Sequence, residues 1–335
     1  MSELYFNRYL LILLSILPIS FLIGPSISLI NILIFDIFIM LFFFIKKEWL
    51  WTNEITIKIL LLLYLYLIFN SFISLDPKIS FLRNFGFIRL IILFVGVNYF
   101  FYKYKYSNKI FTYWSFIILL VVVDIFIELI FGSNIFGYGA NEERVASFFD
   151  DDLIVGGFVL SFFFISVGFY LNKLNNFNNL VKIILLIFLI LFFISIIFTG
   201  ERSNSIKAII GLVILIFSYF RFNFKSFSII VIMFFTITFI INNNNYLKNR
   251  FMASIIYSGK TFSSSFQHGS PRDNPSGNLY AKLYRSSYDV FKNYPYFGVG
   301  NKNYRVEACT SKFFNRGIHI MINNYVCMTH PHQIY

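Results

Sequence analysis

Residues 181–198 read VKIILLIFLILFFISIIF, eighteen positions with one charge, Lys182, and one hydroxyl, Ser195. At ~1.5 Å rise per residue, a helix of this length spans ~27 Å, close to the ~30 Å hydrocarbon thickness of a bilayer. Backbone groups in lipid have no water to bond, so a crossing segment this apolar must close its hydrogen bonds within a helix. A membrane barrel strand would alternate in polarity over roughly ten residues, and this stretch does not.

Working outward, eight more apolar runs belong to the same pattern. The predicted spans lie at 9–23, 27–45, 55–73, 81–101, 111–131, 153–170, 181–198, 206–220 and 227–241. Of the 335 residues, 58% are hydrophobic and 13% charged. That charged share is about half of the ~25% usual in soluble domains, and it excludes a single soluble core. The predicted fold class is all-α: a polytopic integral membrane protein of about nine transmembrane helices. A transmembrane domain, 1–241, precedes a large extracytoplasmic loop, 242–335. The first run follows Arg8 and lacks a small-residue cleavage site, so it reads as a retained span.

Orientation follows from the distribution of Lys and Arg among the short loops. With the N-terminus inside, the inner connections carry Lys46 and Lys47; Lys103, Lys105 and Lys109; Lys173 and Lys182; Arg221 and Lys225. The outer connections carry Asp76 and Lys78, then Glu142, Glu143 and Asp150 to Asp152, then Glu201 and Arg202. Every second loop is basic and the others are not. By the same parity, 242–335 lies outside. It opens at Asn242 to Asn245, read as an irregular hinge. Residues 278–292 place Leu279, Leu283, Tyr284, Tyr288 and Phe291 on one face of an amphipathic helix that ends before Pro295.

Positive charge on the outer side runs against the positive-inside tendency. Arg83 sits at the outer end of span four, Arg144 in the loop after span five and Arg202 in the loop after span seven. Arg89 lies six residues, or ~9 Å, deeper than Arg83. The 242–335 segment adds eleven Lys and Arg against three acids. Arginines gathered at one membrane face suit a polyanion at the lipid boundary, such as a lipid pyrophosphate, because guanidinium groups offer paired donors to phosphate oxygens. The plainer reading is snorkelling, or pairing with a carboxylate such as Glu128.

Asp36 lies in mid-span, and Asp124 and Glu128, four apart, share a face of span five. They serve either a proton relay for transport or structural ion pairs with Arg83 or Arg89. His330 and His332 flank Pro331, either as exposed loop residues, as half a metal site, or as a base for a hydroxyl. Gly298-Val299-Gly300 is a turn, since no strand precedes it and a third glycine is missing. Cys309 and Cys327 both fall outside, where they are free thiols or a disulfide.

Four segments, in this order, resemble the O-antigen ligase and polymerase family of bacterial membrane glycosyltransferases. They are Glu143-Arg144-Val145-Ala146-Ser147-Phe148-Phe149-Asp150 leading to Gly156-Gly157-Phe158, and Thr199-Gly200-Glu201-Arg202-Ser203. The third is Tyr288 to Gly300 with its Pro-x-x-Gly-x-Gly, and the fourth Thr329-His330-Pro331-His332-Gln333-Ile334-Tyr335. Gln333 stands where the family pattern has Asn. The last segment opens a span in that family, so the chain reads as one cut before its final transmembrane helices.

The resemblance implies a GT-C-like enzyme in the bacterial inner membrane with its large loop in the periplasm. It implies transfer of a glycan from undecaprenyl pyrophosphate to an acceptor hydroxyl, on lipid A–core for ligases or another repeat unit for polymerases. The reaction is inverting and uses no metal or cofactor; nucleic acid has no part in it. Arg144 and Arg202 are expected to bind pyrophosphate with Arg83 or Arg89 assisting. His332, with His330 as second choice, is expected to position or deprotonate the acceptor. The rival readings are a transporter or flippase of lipid-linked glycans, resting on Asp36, Asp124 and Glu128, and a non-catalytic membrane subunit.

Overall fold

The computed structural model describes residues 3–104, 107–138, 144–149, 154–173, 177–220, 224–253, 286–288 and 290–309. Among them are helices and no strand beyond single bridge positions at Ser133 and Arg144. Each of the nine apolar runs is helical. In chain order the helices are α1 (Glu3–Ser15), α2 (Leu17–Ile23), α3 (Pro25–Lys46), α4 (Ile55–Phe72), α5 (Pro77–Phe85) and α6 (Ile88–Tyr104). They continue with α7 (Ser107–Phe131), α8 (Val155–Lys173), α9 (Asn179–Phe198), α10 (Arg202–Phe220), α11 (Phe224–Asn243) and α12 (Asn245–Leu247). The last of these runs on as a π-helical turn, Lys248–Ala253.

Five described helices are long and apolar enough to cross a bilayer, and two bent pairs raise that number to seven. Outside that number are α8 and α10, which are helical over predicted spans six and eight. One pair is α1 and α2, bent by 46°. Pro18, in the first turn of α2, removes a backbone donor there and frees the kink. The other pair, Ile230–Asn243 with Asn245–Phe251, turns through 99°. The break falls at Asn244, within the predicted hinge: its backbone is extended, and its side-chain oxygen accepts the Leu247 N–H at 3.1 Å and starts the next helix.

Predicted span four also begins earlier than expected. Asp76 caps α5 by accepting the Ile79 N–H at 3.2 Å, and Pro77 occupies the position where a helix needs no donor. The large apolar faces left exposed, such as Ile59, Leu62, Leu65 and Phe69 on α4, suit lipid rather than water.

The chain forms two compact units. The first comprises Met1–Asn31 and Tyr106–Ile255, the second Ile32–Lys105 and Ile256–Tyr335. In the first, α7 is the central helix, packed by α1, α8 and α9. Ile118, Val121, Val122 and Ile125 recur along it at helical spacing and are buried. The Trp114 indole donates to the Leu14 carbonyl at 2.7 Å, fastening α7 to α1. In the second unit, α4 and α5 form a hairpin that receives the turn at 297–303. Asn70 donates to the Phe297 carbonyl at 2.8 Å, Asn301 to Asn84 at 2.7 Å, and Asn303 to Ser80 at 2.8 Å. Gly298 and Gly300 take φ of +68° and +93°, the left-handed region that favours glycine. Of the predicted amphipathic helix, 286–288 and 290–293 are helical; 278–285 and 289 lie outside the described residues.

Candidate anion-binding site

The first unit gathers three loop or turn segments. The segment after α7 is held by two carboxylates one helical turn apart. Asp124 accepts the Ile135 N–H at 3.0 Å and the Ser147 hydroxyl at 2.5 Å. Glu128 accepts the N–H groups of Ala146 at 3.1 Å and Ser147 at 2.6 Å. Asn134 adds three bonds, accepting from Phe136 and Tyr138 at 2.9 and 2.8 Å and donating to the Ser147 carbonyl at 2.6 Å. Buried carboxylates that accept several amide donors are structurally committed. Asp124 and Glu128 therefore shape the loop, a role the sequence reading did not consider. That loop carries Arg144, half-buried, beside Val145.

The second segment is the turn between α9 and α10. Gly200 has φ +72° and lets the chain reverse. Glu201 is buried; it accepts the Gly156 N–H at 2.7 Å and also bonds the Asn204 amide. Burial pushes its carboxyl above the ordinary 4.5, against the opposing pull of the Gly156 amide, Asn204 and the Arg144 charge. The Arg144 guanidinium is thus within electrostatic reach of Glu201, whose neighbour in the chain is Arg202. Arg202, half-buried, is the first residue of α10.

The third segment follows the 99° bend. The Tyr246 hydroxyl donates to the Thr199 carbonyl at 3.3 Å, and the Val145 N–H is directed at the Tyr246 phenol oxygen. Both Arg250 and Arg144 act electrostatically on Tyr246. The Nε of Arg250 lies 3.6 Å from where a Gly200 Cβ would stand. Arg144, Arg250 and Arg202 therefore surround one turn, Thr199 to Arg202, with Glu201 as its buried carboxylate. Arg250 escaped the sequence reading, which counted it only in the charge of the 242–335 segment. Its i, i+4 spacing from Tyr246, directly after the last apolar run, was the available signal.

Arg83 and Arg89 belong to the second unit. Arg83 is exposed in the last turn of α5, and Arg89 lies on α6, where its charge acts on Asp36 of α3. Among the described residues no three His, Cys, Asp or Glu side chains gather as a metal-ligand set. His330, His332 and Cys327 lie outside the described residues, as does the side chain of Cys309.

A family model described as O-Antigen ligase matches residues 187–335. Over that C-terminal part the chain is similar to the O-antigen ligase family, which supports reading it as a glycosyl-transferring membrane protein. No curated protein and no solved structure matches it. The O-antigen ligase match begins within α9 and takes in the Thr199–Arg202 turn, Tyr246, Arg250 and both candidate histidines. Arg144, Arg83 and Arg89 precede it.

Proposed function

We propose that this chain moves a glycan from an undecaprenyl-pyrophosphate carrier to an acceptor hydroxyl, on lipid A–core or on another glycan. The reaction takes place at the periplasmic face of the bacterial inner membrane, in a GT-C-like chain of nine spans. The observation that carries the reading is the convergence of Arg144 on the turn that ends in Arg202.

The donor already holds a good leaving group, so the chief demand is to stabilise charge as the bond to the anomeric carbon breaks. The acceptor oxygen attacks that carbon from the opposite face, which inverts it. The electron pair of the broken bond stays on the pyrophosphate oxygen, and the acceptor proton passes to His332, or to His330 as second choice. Arg144 and Arg202 meet the growing negative charge with fixed guanidinium donors, and Arg83 or Arg89 assists. A preorganised donor of this kind is typically worth ~3–4 kcal/mol in the transition state. The chemistry needs no metal and no nucleotide sugar.

The transport reading rests on Asp36, Asp124 and Glu128, and the last two are committed to the loop after α7. Their engagement with the amides of residues 135, 146 and 147 leaves it weaker support.

The test is genetic and topological. In the intact gene, Arg202→Ala and His332→Ala should abolish polysaccharide transfer with unchanged membrane abundance. Arg144→Cys and Arg202→Cys should react with an impermeant thiol reagent from the periplasmic side. Labelling from the cytoplasm alone would remove the site.

A further inference from the structure

Glu201 is a buried carboxyl among cations, 8% exposed in the turn between α9 and α10. Its donors are the Gly156 N–H at 2.7 Å, the Asn204 amide and the Gly157 N–H directed at it. The two glycine amides belong to the first turn of α8, where a helix has free N–H groups and its positive end. Arg144 adds a full positive charge. All of these favour the ionised form. Burial opposes them and is the larger effect, holding the carboxyl above its ordinary 4.5.

Charged and titratable groups stand around this turn on every side. Arg144 comes from the loop before α8, while the first turn of α8 meets Glu201 with Gly156 and Gly157, which do not titrate. α10 contributes Arg202 and Asn204. The helix after the 99° bend brings Tyr246 against Thr199, and Arg250 Nε to 3.6 Å from the position of a Gly200 Cβ. Glu128 of α7 acts on Tyr246. The acidic positions 142, 143 and 150–152 lie outside the described residues.

A diphosphate held by Arg144 and Arg202 brings several negative charges to this carboxyl. Like charge at close range raises a carboxyl's hold on its proton, and ligand and proton then strengthen each other reciprocally. Protonation leaves the turn intact. The carbonyl oxygen of a neutral carboxyl still accepts from Gly156, and its O–H has an acceptor in the Asn204 side-chain oxygen once that amide turns over.

We propose that Glu201 takes up a proton as the diphosphate enters, so that the resident carboxylate yields the guanidinium groups to the ligand. Resting on the transferase reading above, this makes Glu201 a positioning residue whose proton is coupled to donor binding. The proton comes from solvent and returns to it when the product diphosphate leaves. Donor affinity therefore falls as pH rises.

Purified protein in detergent is titrated calorimetrically with inorganic pyrophosphate in buffers of different ionisation enthalpy, wild type beside Glu201→Gln. The probe's own proton exchange is common to both proteins. Wild type should take up more proton per bound pyrophosphate than the variant. The ratio of its Kd to the variant's should climb with pH, by up to ~10-fold per unit, the limit for one linked proton. Equal proton uptake, or a Kd ratio that does not move with pH, overturns the proposal.

Wild type carrying 13C-labelled glutamate gives a readout independent of that variant. Pyrophosphate should raise a label-shifted carboxylic-acid C=O band in the infrared difference spectrum, and Glu201→Asp should lose the label shift. Absence of the band overturns the proposal; a band that keeps its shift in Glu201→Asp places the proton on another glutamate and does the same. Pyrophosphate that fails to bind wild type takes down the diphosphate site itself, and the proposal with it.

Discussion

The Glu201 carboxylate accepts the backbone N–H of Gly156 at 2.7 Å, across 45 positions of chain. This bond ties the turn that presents Arg202 to the first turn of α8. It explains why Gly156 is glycine. A Cβ there would stand 2.7 Å from the Thr199 hydroxyl and 2.9 Å from the Glu201 carboxyl carbon. Gly156→Ala should destabilise the first unit by ~1–3 kcal/mol, the usual cost of overpacking, read as a lower thermal midpoint in detergent. A midpoint equal to wild type would show that the two turns part easily.

Glu201 should also make stability pH-dependent. Its carboxyl is raised in the folded state, chiefly by burial, so the folded protein holds that proton more tightly than the unfolded chain. The stabilisation is complete below the ordinary 4.5 and is lost as pH rises through the folded value. Glu201→Gln keeps an acceptor for Gly156 and should flatten this part of the profile. The check is the thermal midpoint of both proteins from pH 4 upward; parallel profiles would assign the dependence elsewhere.

Glu128 holds two amides of the Arg144 loop. Glu128→Ala strands the N–H groups of Ala146 and Ser147, and a buried donor without its acceptor costs ~1–3 kcal/mol. Hydrogen exchange at Ala146 and Ser147 should accelerate at least tenfold while Ile118 and Ile125 stay protected. Uniform acceleration across α7 would make Glu128 a core residue rather than a loop anchor.

Much of this was legible in the sequence, and the exceptions have physical causes. All nine apolar runs are helical, because hydrophobic length alone forces that in lipid. The Asp76–Pro77 start of α5 is a cap signal in the sequence, although Asp76 and Lys78 fit a charged outer loop equally well. The bend at Asn244 was legible as a break, though its geometry depends on a side chain capping Leu247. Arg144 and Arg202 are marked by their loops, whereas Arg250, one helical turn after Tyr246, reaches Gly200 through the 99° bend, which local spacing does not give. Asp124 and Glu128 were flagged by spacing, but their amide partners lie 11 to 19 residues away, beyond any local pattern.

In the second unit, Gly300 is hemmed in by Ser74 and Ser80 and holds φ +93°. Gly300→Ala meets both a steric clash and backbone strain, so the 297–303 turn should leave α4 and α5. Limited proteolysis should then cut near residues 297–303 much faster than in wild type, with Asn84→Ala showing a smaller effect. Equal cleavage rates would mean that the hydrogen bonds of Asn70, Asn84 and Asn303 do not hold the turn.

The central claim is that Arg144 and Arg202 together hold a diphosphate. The most direct measurement is transfer from undecaprenyl-pyrophosphate-linked glycan by purified intact protein in proteoliposomes, comparing wild type with Arg144→Ala and Arg202→Ala. Each variant should lose ~10²–10³-fold in rate while keeping its thermal midpoint. Wild-type rates in both variants would contradict it.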